Sequence, residues 1–302
     1  MDNNDIYKWS KFMISNVKMR FNMKRLLKKL LKTTLSSLSL TRSKHNNEYA
    51  SFEEAMKHAD GYEDNILTKV IVAKGKKFAE NLSNTKSIDL LALRTFIGLA
   101  STLNSKKLVV LDFGGAAGTH YFIAKSILSD DIVLDWRVVE TTQMVKQAQI
   151  QDLENNELKY FETIDNAVAD SEIDLIFASS SIHYTPKPYK VLTSLASINA
   201  KILMITRTPF TDVSVVLLQH SALSANGVGE IPSEIGVSDK EISYPVTIMG
   251  KQEVEAILKK FGDIRLKISE GKITYSSDKR SFDMWGYVVS KRKEPEHSSF
   301  MQ

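Results

Sequence analysis

Cysteine is absent from all 302 residues. That excludes disulfides, thiolate metal sites and cysteine nucleophiles, and it fits a reducing compartment. No apolar run reaches the roughly 20 residues that a bilayer-spanning helix needs, and no signal-peptide apolar core stands near the start. The expectation is a cytoplasmic protein. Histidine is sparse, six residues in all, and no acids stand at metal-ligand spacing around it, so no metal is expected. Internal repeats are lacking too.

Excess charge is present, but only locally. The chain carries 40 Lys and Arg against 36 Asp and Glu, a net +4. Lys18, Arg20, Lys24, Arg25, Lys28, Lys29 and Lys32 put +7 into Val17–Lys32 with no acid, so the rest of the chain balances at −3. A nucleic-acid-binding protein is expected to carry its basic charge on the folded domain, and no nucleic-acid partner is expected here. Met19, Met23, Leu26, Leu27, Leu30 and Leu31 recur at helical spacing between the basic residues. Such a basic amphipathic helix either binds an anionic membrane surface, here the inner face of the membrane, or packs on the domain or a partner protein with its lysines outward. A mitochondrial presequence is a third reading, although such segments favour Arg and Ser over Lys.

The stretch Leu108–Glu140 organises the rest. It reads as a strand ending in Asp112, a loop Gly114-Gly115-Ala116-Ala117-Gly118, a helix from about Thr119, and a second strand ending in Glu140. The loop has no bulky side chain, so a ligand can approach its backbone, and the helix behind it presents free N–H groups. An acid closing the second strand can accept both hydroxyls of a ribose. A pyrophosphate over this loop would be repelled by Asp112, whereas the ammonium and sulfonium of S-adenosylmethionine would be favoured by it. The residue-level expectation is therefore a nucleoside cofactor, S-adenosylmethionine, held by Asp112, Gly114, Gly115, Ala116, Gly118, Glu140 and Thr141, with Met144 near the adenine. A tight turn without a ligand is the bland reading.

Four parts are expected: a basic arm and linker (1–47), an N-terminal helical cap (48–106), a main domain (107–291) with an insert (210–248), and a disordered tail (292–302). In the cap, Ser51-Phe-Glu-Glu54 is a capping box that starts a helix. Helical patterns follow over Asp64–Leu82 and Ser87–Leu103. Tyr62 packs there or faces the substrate entrance. After Glu140, helices at Thr141–Glu154 and Pro186–Ile198 alternate with strands at Leu158–Glu162, Ile173–Ala178 and Ala200–Thr206. This alternation implies a doubly wound, mostly parallel sheet. Phe210–Ile248 reads as long and irregular, a lid or substrate loop. A helix over Lys251–Phe261 and strands over Ile264–Ser269 and Met284–Lys291 complete the domain.

Ligands of such sheets lie beyond the carboxyl ends of the strands. That rule gathers Asp112–Gly118, Glu140, Glu162 with Thr163, Ser179–Tyr184 and Arg207–Phe210 into one cleft. Glu162, Ser179 and Ser180 join the cofactor residues. His183 is positioned to act as a general base for a hydroxyl or amine, or it packs the turn. His220 is the second candidate base. Tyr184, Arg207 and Gln219 are the substrate candidates, Arg207 for an anionic group unless it forms a surface salt bridge.

The loop resembles motif I of the class I S-adenosylmethionine-dependent methyltransferases, with Ala116 where Gly is commoner. In order along the chain, FEEAMKHADGYEDNIL, LDFGGAAGTHYF, WRVVE, SSSIHYTPKPYKVL and TRTPF are similar to a methyltransferase family found in bacterial gene clusters for surface polysaccharides such as O-antigen and capsule. The likeness spans roughly residues 50–290. It implies a seven-stranded sheet with its seventh strand antiparallel, N-terminal helices, S-adenosylmethionine as cofactor, and a small-molecule or glycan acceptor, lipid-linked or free. It does not name the acceptor. An NAD(P)-dependent oxidoreductase of sugar metabolism is the rival enzyme class. It wants a Tyr-x-x-x-Lys pair, and Tyr184 is followed at that spacing by Pro188. A methyltransferase-like binding protein without turnover is the other alternative.

Overall fold

The computed structural model describes residues 48–81, 90–102, 106–169, 171–275 and 280–292. The basic segment Val17–Lys32, the linker and the tail beyond Arg292 lie outside the described residues. β1 is Glu48–Tyr49, followed by helices α1 (Phe52–Met56), α2 (Asn65–Asn81) and α3 (Leu90–Ala100). Ser51 Oγ accepts the Glu54 N–H at 3.1 Å, and the Glu54 carboxylate accepts the Ala50 N–H at 2.9 Å. The Ser51–Glu54 signal therefore starts α1. Asp64 caps α2 through the Ile66 and Leu67 N–H groups at 3.0 and 2.8 Å.

The alternating unit runs β2 (Lys107–Phe113), α4 (Thr119–Ile127), β3 (Val133–Val139), α5 (Thr142–Ile150), β4 (Leu158–Phe161), α6 (Ile164–Val168), β5 (Ile173–Ser179), α7 (Pro188–Ser197) and β6 (Ala200–Thr211). β2 is buried along most of its length, as a central parallel strand with helices on both faces must be. Its side chains alternate. Leu108 and Val110 join a core with Leu67, Val70 and Leu99 of α2 and α3, Tyr121 of α4 and Met144 of α5. Val109 and Leu111 join a second core with Ala167 of α6 and Leu192 and Leu195 of α7. The sheet is thus wound on both faces.

β7 (Val215–Ala222), β8 (Glu241–Gly250), α8 (Lys251–Phe261), β9 (Gly262–Tyr275) and β10 (Arg280–Lys291) follow. Seven strands lie in the order β4-β3-β2-β5-β6-β10-β9, parallel from β4 to β6, with β10 antiparallel to both β6 and β9. This is the methyltransferase-like α/β arrangement that the resemblance implies.

Among the described residues the sheet has ten strands, not seven. The expected irregular insert is largely a hairpin. β7 and β8 pair antiparallel from Val215↔Ile248 to Ala222↔Glu241, β1 adds to β7, and β8 meets the far end of β6 at Phe210↔Met249 and Thr211↔Gly250. Pro245 lies inside β8. Ser243, two residues earlier, turns its N–H to Asp60 Oδ2 and its carbonyl to the N–H groups of Asp60 and Gly61. Pro245 faces the same side, away from β7, so its missing N–H breaks no bond to that partner.

Candidate functional site at the carboxyl ends of the strands

The loop after β2 leaves no room for side chains. Gly114 has φ 68°, and a Cβ there would collide with Ser181, whose hydroxyl donates to Phe113 O at 2.7 Å. A Cβ on Gly115 would stand 2.5 Å from the Asp112 carboxylate. Ala116 holds φ 50°, Ser180 φ 55° and Arg207 φ 54°. Among the described residues, three of the four non-glycine residues with positive φ therefore lie just past β2 and β5 or where β6 runs on beyond the end of β5. Strained backbone of this kind concentrates at functional sites.

Asp112 is fully buried. Its Oδ2 accepts Trp136 Nε1–H at 3.0 Å, and its Oδ1 has no partner. Burial pushes its pKa up to about 7; the Trp136 hydrogen bond opposes the rise and the nearby Glu140 charge adds to it. Glu140, just past β3, accepts the Ala116 N–H on one oxygen and the Thr141 N–H on the other, each at 3.0 Å. Burial raises its pKa against those two bonds. The carboxylate is thereby fixed against the loop, and each oxygen keeps a lone pair for a further donor.

Asp112 Oδ1, Tyr160 OH, Ser179 Oγ and His183 Nδ1 are four of the six buried side-chain polar atoms without a partner among the described residues. Such orphans are uncommon in folded proteins, and these four belong to one end of the sheet. Thr141 caps α5 through the Met144 N–H. Glu162 is exposed and accepts from Thr142 Oγ1 at 2.7 Å.

The opposite side of the cleft is basic and aromatic. His183 is buried in the turn after β5 and stacks on Tyr184 at 4.2 Å. Burial first, then the Arg207 charge, pushes its pKa down to about 3. Tyr184 packs with Tyr62 and Tyr244 at ring-centre distances of 5.1 and 5.4 Å, and Tyr62 meets Tyr244 at 4.4 Å. Tyr184 OH donates to Gln219 Oε1 at 3.1 Å, and Gln219 Nε2 donates to Tyr244 OH at 3.2 Å. Burial raises the pKa of Tyr62, and the charge of Glu140 adds to the rise.

Arg207 is where β6 outruns β5. Two residues, Thr206 and Arg207, oppose Gly286 alone on β10, a bulge of the kind that re-aims a side chain. A second bulge sets Glu270 and Gly271 against Met284. Glu270 Oε1 accepts the Arg207 N–H at 2.8 Å and the Thr206 hydroxyl, while Oε2 accepts Arg94 Nε–H at 2.6 Å. His120, in the first turn of α4, meets Thr95 Oγ1 at 2.7 Å through Nδ1. Burial and then the Arg207 and Arg94 charges depress it to about 3.

Asp112, the loop, Glu140, Tyr184, His183 and Arg207 are thus brought together. His220 is not. It alternates with Gln219 and Ser221 along β7, so it faces the other side of the ribbon, where Nδ1 approaches Glu241 at 3.4 Å. Sequence reasoning missed His120, Arg94, Glu270 and Tyr160. His120 was visible two residues after Gly118; nothing in the sequence marked the others.

No family model matches the chain, and no curated protein matches it. Among solved structures the chain is similar to the N-terminal domain of EvdMO1 with SAH bound, at 13% identity over 68% of this chain and 82% of that one, TM-score 0.44. It is similar to an S-adenosylmethionine-dependent methyltransferase from Clostridium acetobutylicum ATCC 824, at 15% identity over 72% of this chain and 99% of that one, TM-score 0.43. It is also similar to the CcbJ methyltransferase from Streptomyces caelestis, at 10% identity over 74% of this chain and 99% of that one, TM-score 0.43.

Proposed function

We propose that the chain is an S-adenosylmethionine-dependent methyltransferase acting on a small-molecule or glycan acceptor in bacterial surface-polysaccharide synthesis. The observation that carries the cofactor is the carboxylate pair at the loop. Glu140 is pinned by two backbone N–H groups, and Asp112 keeps a buried, unpartnered oxygen beside Gly115. A hydroxylated ribose suits the first, and a cationic amino-acid end suits the second. A dinucleotide would bring a pyrophosphate against the Asp112 carboxylate. The setting rests on the family resemblance of residues 50–290.

When bound, S-adenosylmethionine supplies an electrophilic methyl group on a good leaving group. The chain supplies position more than chemistry. Asp112, Glu140 and the loop hold one side of the cleft. Tyr62 and Tyr184 form an apolar wall that excludes water. His183, neutral at physiological pH, takes the proton of a hydroxyl or amine acceptor, and its basicity rises when the neighbouring Arg207 charge is neutralised.

Calorimetric titration with S-adenosylmethionine, S-adenosylhomocysteine and NAD tests the reading. Micromolar binding of the first two and none of NAD is expected. The reverse would sink it. Incubation with labelled S-adenosylmethionine and cell-envelope extracts then separates an enzyme from a binding protein.

A further inference from the structure

Arg207 stands on this side of the cleft with no hydrogen-bonded counter-ion among the described residues. Its backbone is fixed: φ is 54° and its N–H is taken by Glu270. Its guanidinium makes no hydrogen bond or ion pair with any described residue. Glu270 gives its carboxylate to other donors. One carboxylate oxygen accepts Thr206 and the Arg207 N–H, and the other accepts Arg94. Glu270 and Arg94 are both largely buried, with side chains 7% and 16% exposed, and their charges cancel. That leaves one positive charge.

The guanidinium is not loose at the surface. Burial is the main cause that lowers its pKa, and its charge is felt by His120, His183, Tyr62 and Tyr184. The Ser180 N–H donates to Thr206 O at 3.0 Å, which ties the Arg207 bulge to the turn that carries His183. Both histidines are neutral there, so they add N–H donors but no charge. Arg207 is half-buried, and a partly desolvated cation without a bound counter-ion costs stability that a ligand can recover.

We propose that Arg207 is the anion subsite of the acceptor: the molecule modified here carries a carboxylate or phosphate oxyanion that docks on the Arg207 guanidinium. Naming this ligand the acceptor rests on the methyltransferase reading; the anion subsite itself does not. The planar guanidinium meets a carboxylate or phosphate through two parallel hydrogen bonds, which a lysine cannot reproduce. Glu270 is a positioning residue. It holds the two bulges together and keeps Arg94 from competing for the anion.

The test uses the full chain saturated with S-adenosylhomocysteine. Inorganic phosphate and acetate are titrated separately at constant ionic strength set with sodium chloride, so that diffuse binding by the basic arm cancels. The wild type should bind at least one anion in the millimolar range, and the tighter of the two assigns the acceptor group as phosphate or carboxylate. Arg207→Gln should bind at least tenfold more weakly, with S-adenosylhomocysteine affinity unchanged as proof of fold. Arg207→Lys keeps the charge and should be weakened several-fold. No anion binding by the wild type, or wild-type affinity in either variant, overturns the proposal. Failure of S-adenosylhomocysteine to bind the wild type would instead strike the cofactor reading, and the anion titration would then be run without it.

Discussion

Asp112→Asn should separate what the site does for the ligand from what it does to the fold. Asp112 has no exposed surface, and only one of its oxygens is hydrogen-bonded. Burial moves its pKa from 3.8 to about 7. Between those values the folded chain binds more protons than the unfolded chain. The group therefore withdraws stability as pH rises from about 4 to about 7, and the penalty is complete above that. At about 1.4 kcal/mol per pKa unit, the penalty grows by about 2–3 kcal/mol between pH 5 and pH 8. The asparagine keeps an acceptor for Trp136 and loses the charge. Urea unfolding without cofactor should thus show the variant gaining on the wild type by about 2–3 kcal/mol more at pH 8 than at pH 5. Comparing the two pH values cancels any fixed cost of burying the amide. The same variant should bind S-adenosylmethionine about 10–100-fold more weakly, the worth of one hydrogen bond to a charged group. An equal difference at both pH values would refute the buried, ionising carboxylate. Undiminished affinity would refute its role toward the cofactor.

Glu140→Ala should weaken S-adenosylhomocysteine binding by about 1–3 kcal/mol, the cost of leaving buried hydroxyls unpaired; wild-type affinity in a titration rules out the ribose assignment. Gly114→Val should lower stability by at least about 2 kcal/mol, because a branched residue meets both φ 68° and Ser181; an unchanged Tm contradicts that. His183→Ala should reduce kcat by roughly 10²–10⁴-fold with cofactor affinity intact. Should His220→Ala show the loss instead, the base belongs to β7; should neither variant lose activity, the acceptor needs no side-chain base. A chain starting at Asn47 keeps β1 and its pairing to β7, so it should fold and bind S-adenosylhomocysteine, yet no longer sediment with anionic vesicles. The full chain should sediment, less so in high salt; equal sedimentation of the two would remove the membrane role of the arm.

The parts legible in the sequence are those that local chemistry determines. Asp112, the glycines and Glu140 were readable because a strand end, a tight turn and a second strand end follow one another within thirty-odd residues. Ser51–Glu54 was readable because a capping box is a four-residue device. The β7–β8 hairpin was not. Its two strands are separated by Leu223–Lys240, whose glycines and Pro232 dominate the local signal, and Pro245 sits inside β8. Only the neighbours decide that Pro245 faces a side where no N–H is needed. Arg207 was visible as a residue, but its isolation was not. That isolation follows from two bulges on different strands, Thr206–Arg207 and Glu270–Gly271, and from an arginine on α3 more than a hundred residues earlier in the chain. Bulges carry no short-range code, so Glu270 read as the residue just past an ordinary strand ending at Ser269.

The charges around the cleft are arranged in opposition, and that arrangement sets which ligand can go where. Asp112 and Glu140 lie on the side of β2 and β3, and both are raised in pKa by burial. Arg207 lies beyond β5 on β6, and burial works against its charge too. Each of these groups costs the empty fold stability, as functional groups commonly do. In the proposed site the cost is relieved by a ligand of opposite sign: a cation beside Asp112, an anion beside Arg207. Exchanged, each ligand would meet a like charge in a low-dielectric site. Specificity of this kind comes from rejection as much as from attraction. On the proposed function it also couples the two halves of the reaction. An anion on Arg207 removes the charge that helps to depress His183 and His120, so the imidazoles become better bases when the acceptor is in place. A neutral acceptor of the same shape would leave Arg207 unpaired and both histidines weakly basic, and would be modified slowly for both reasons.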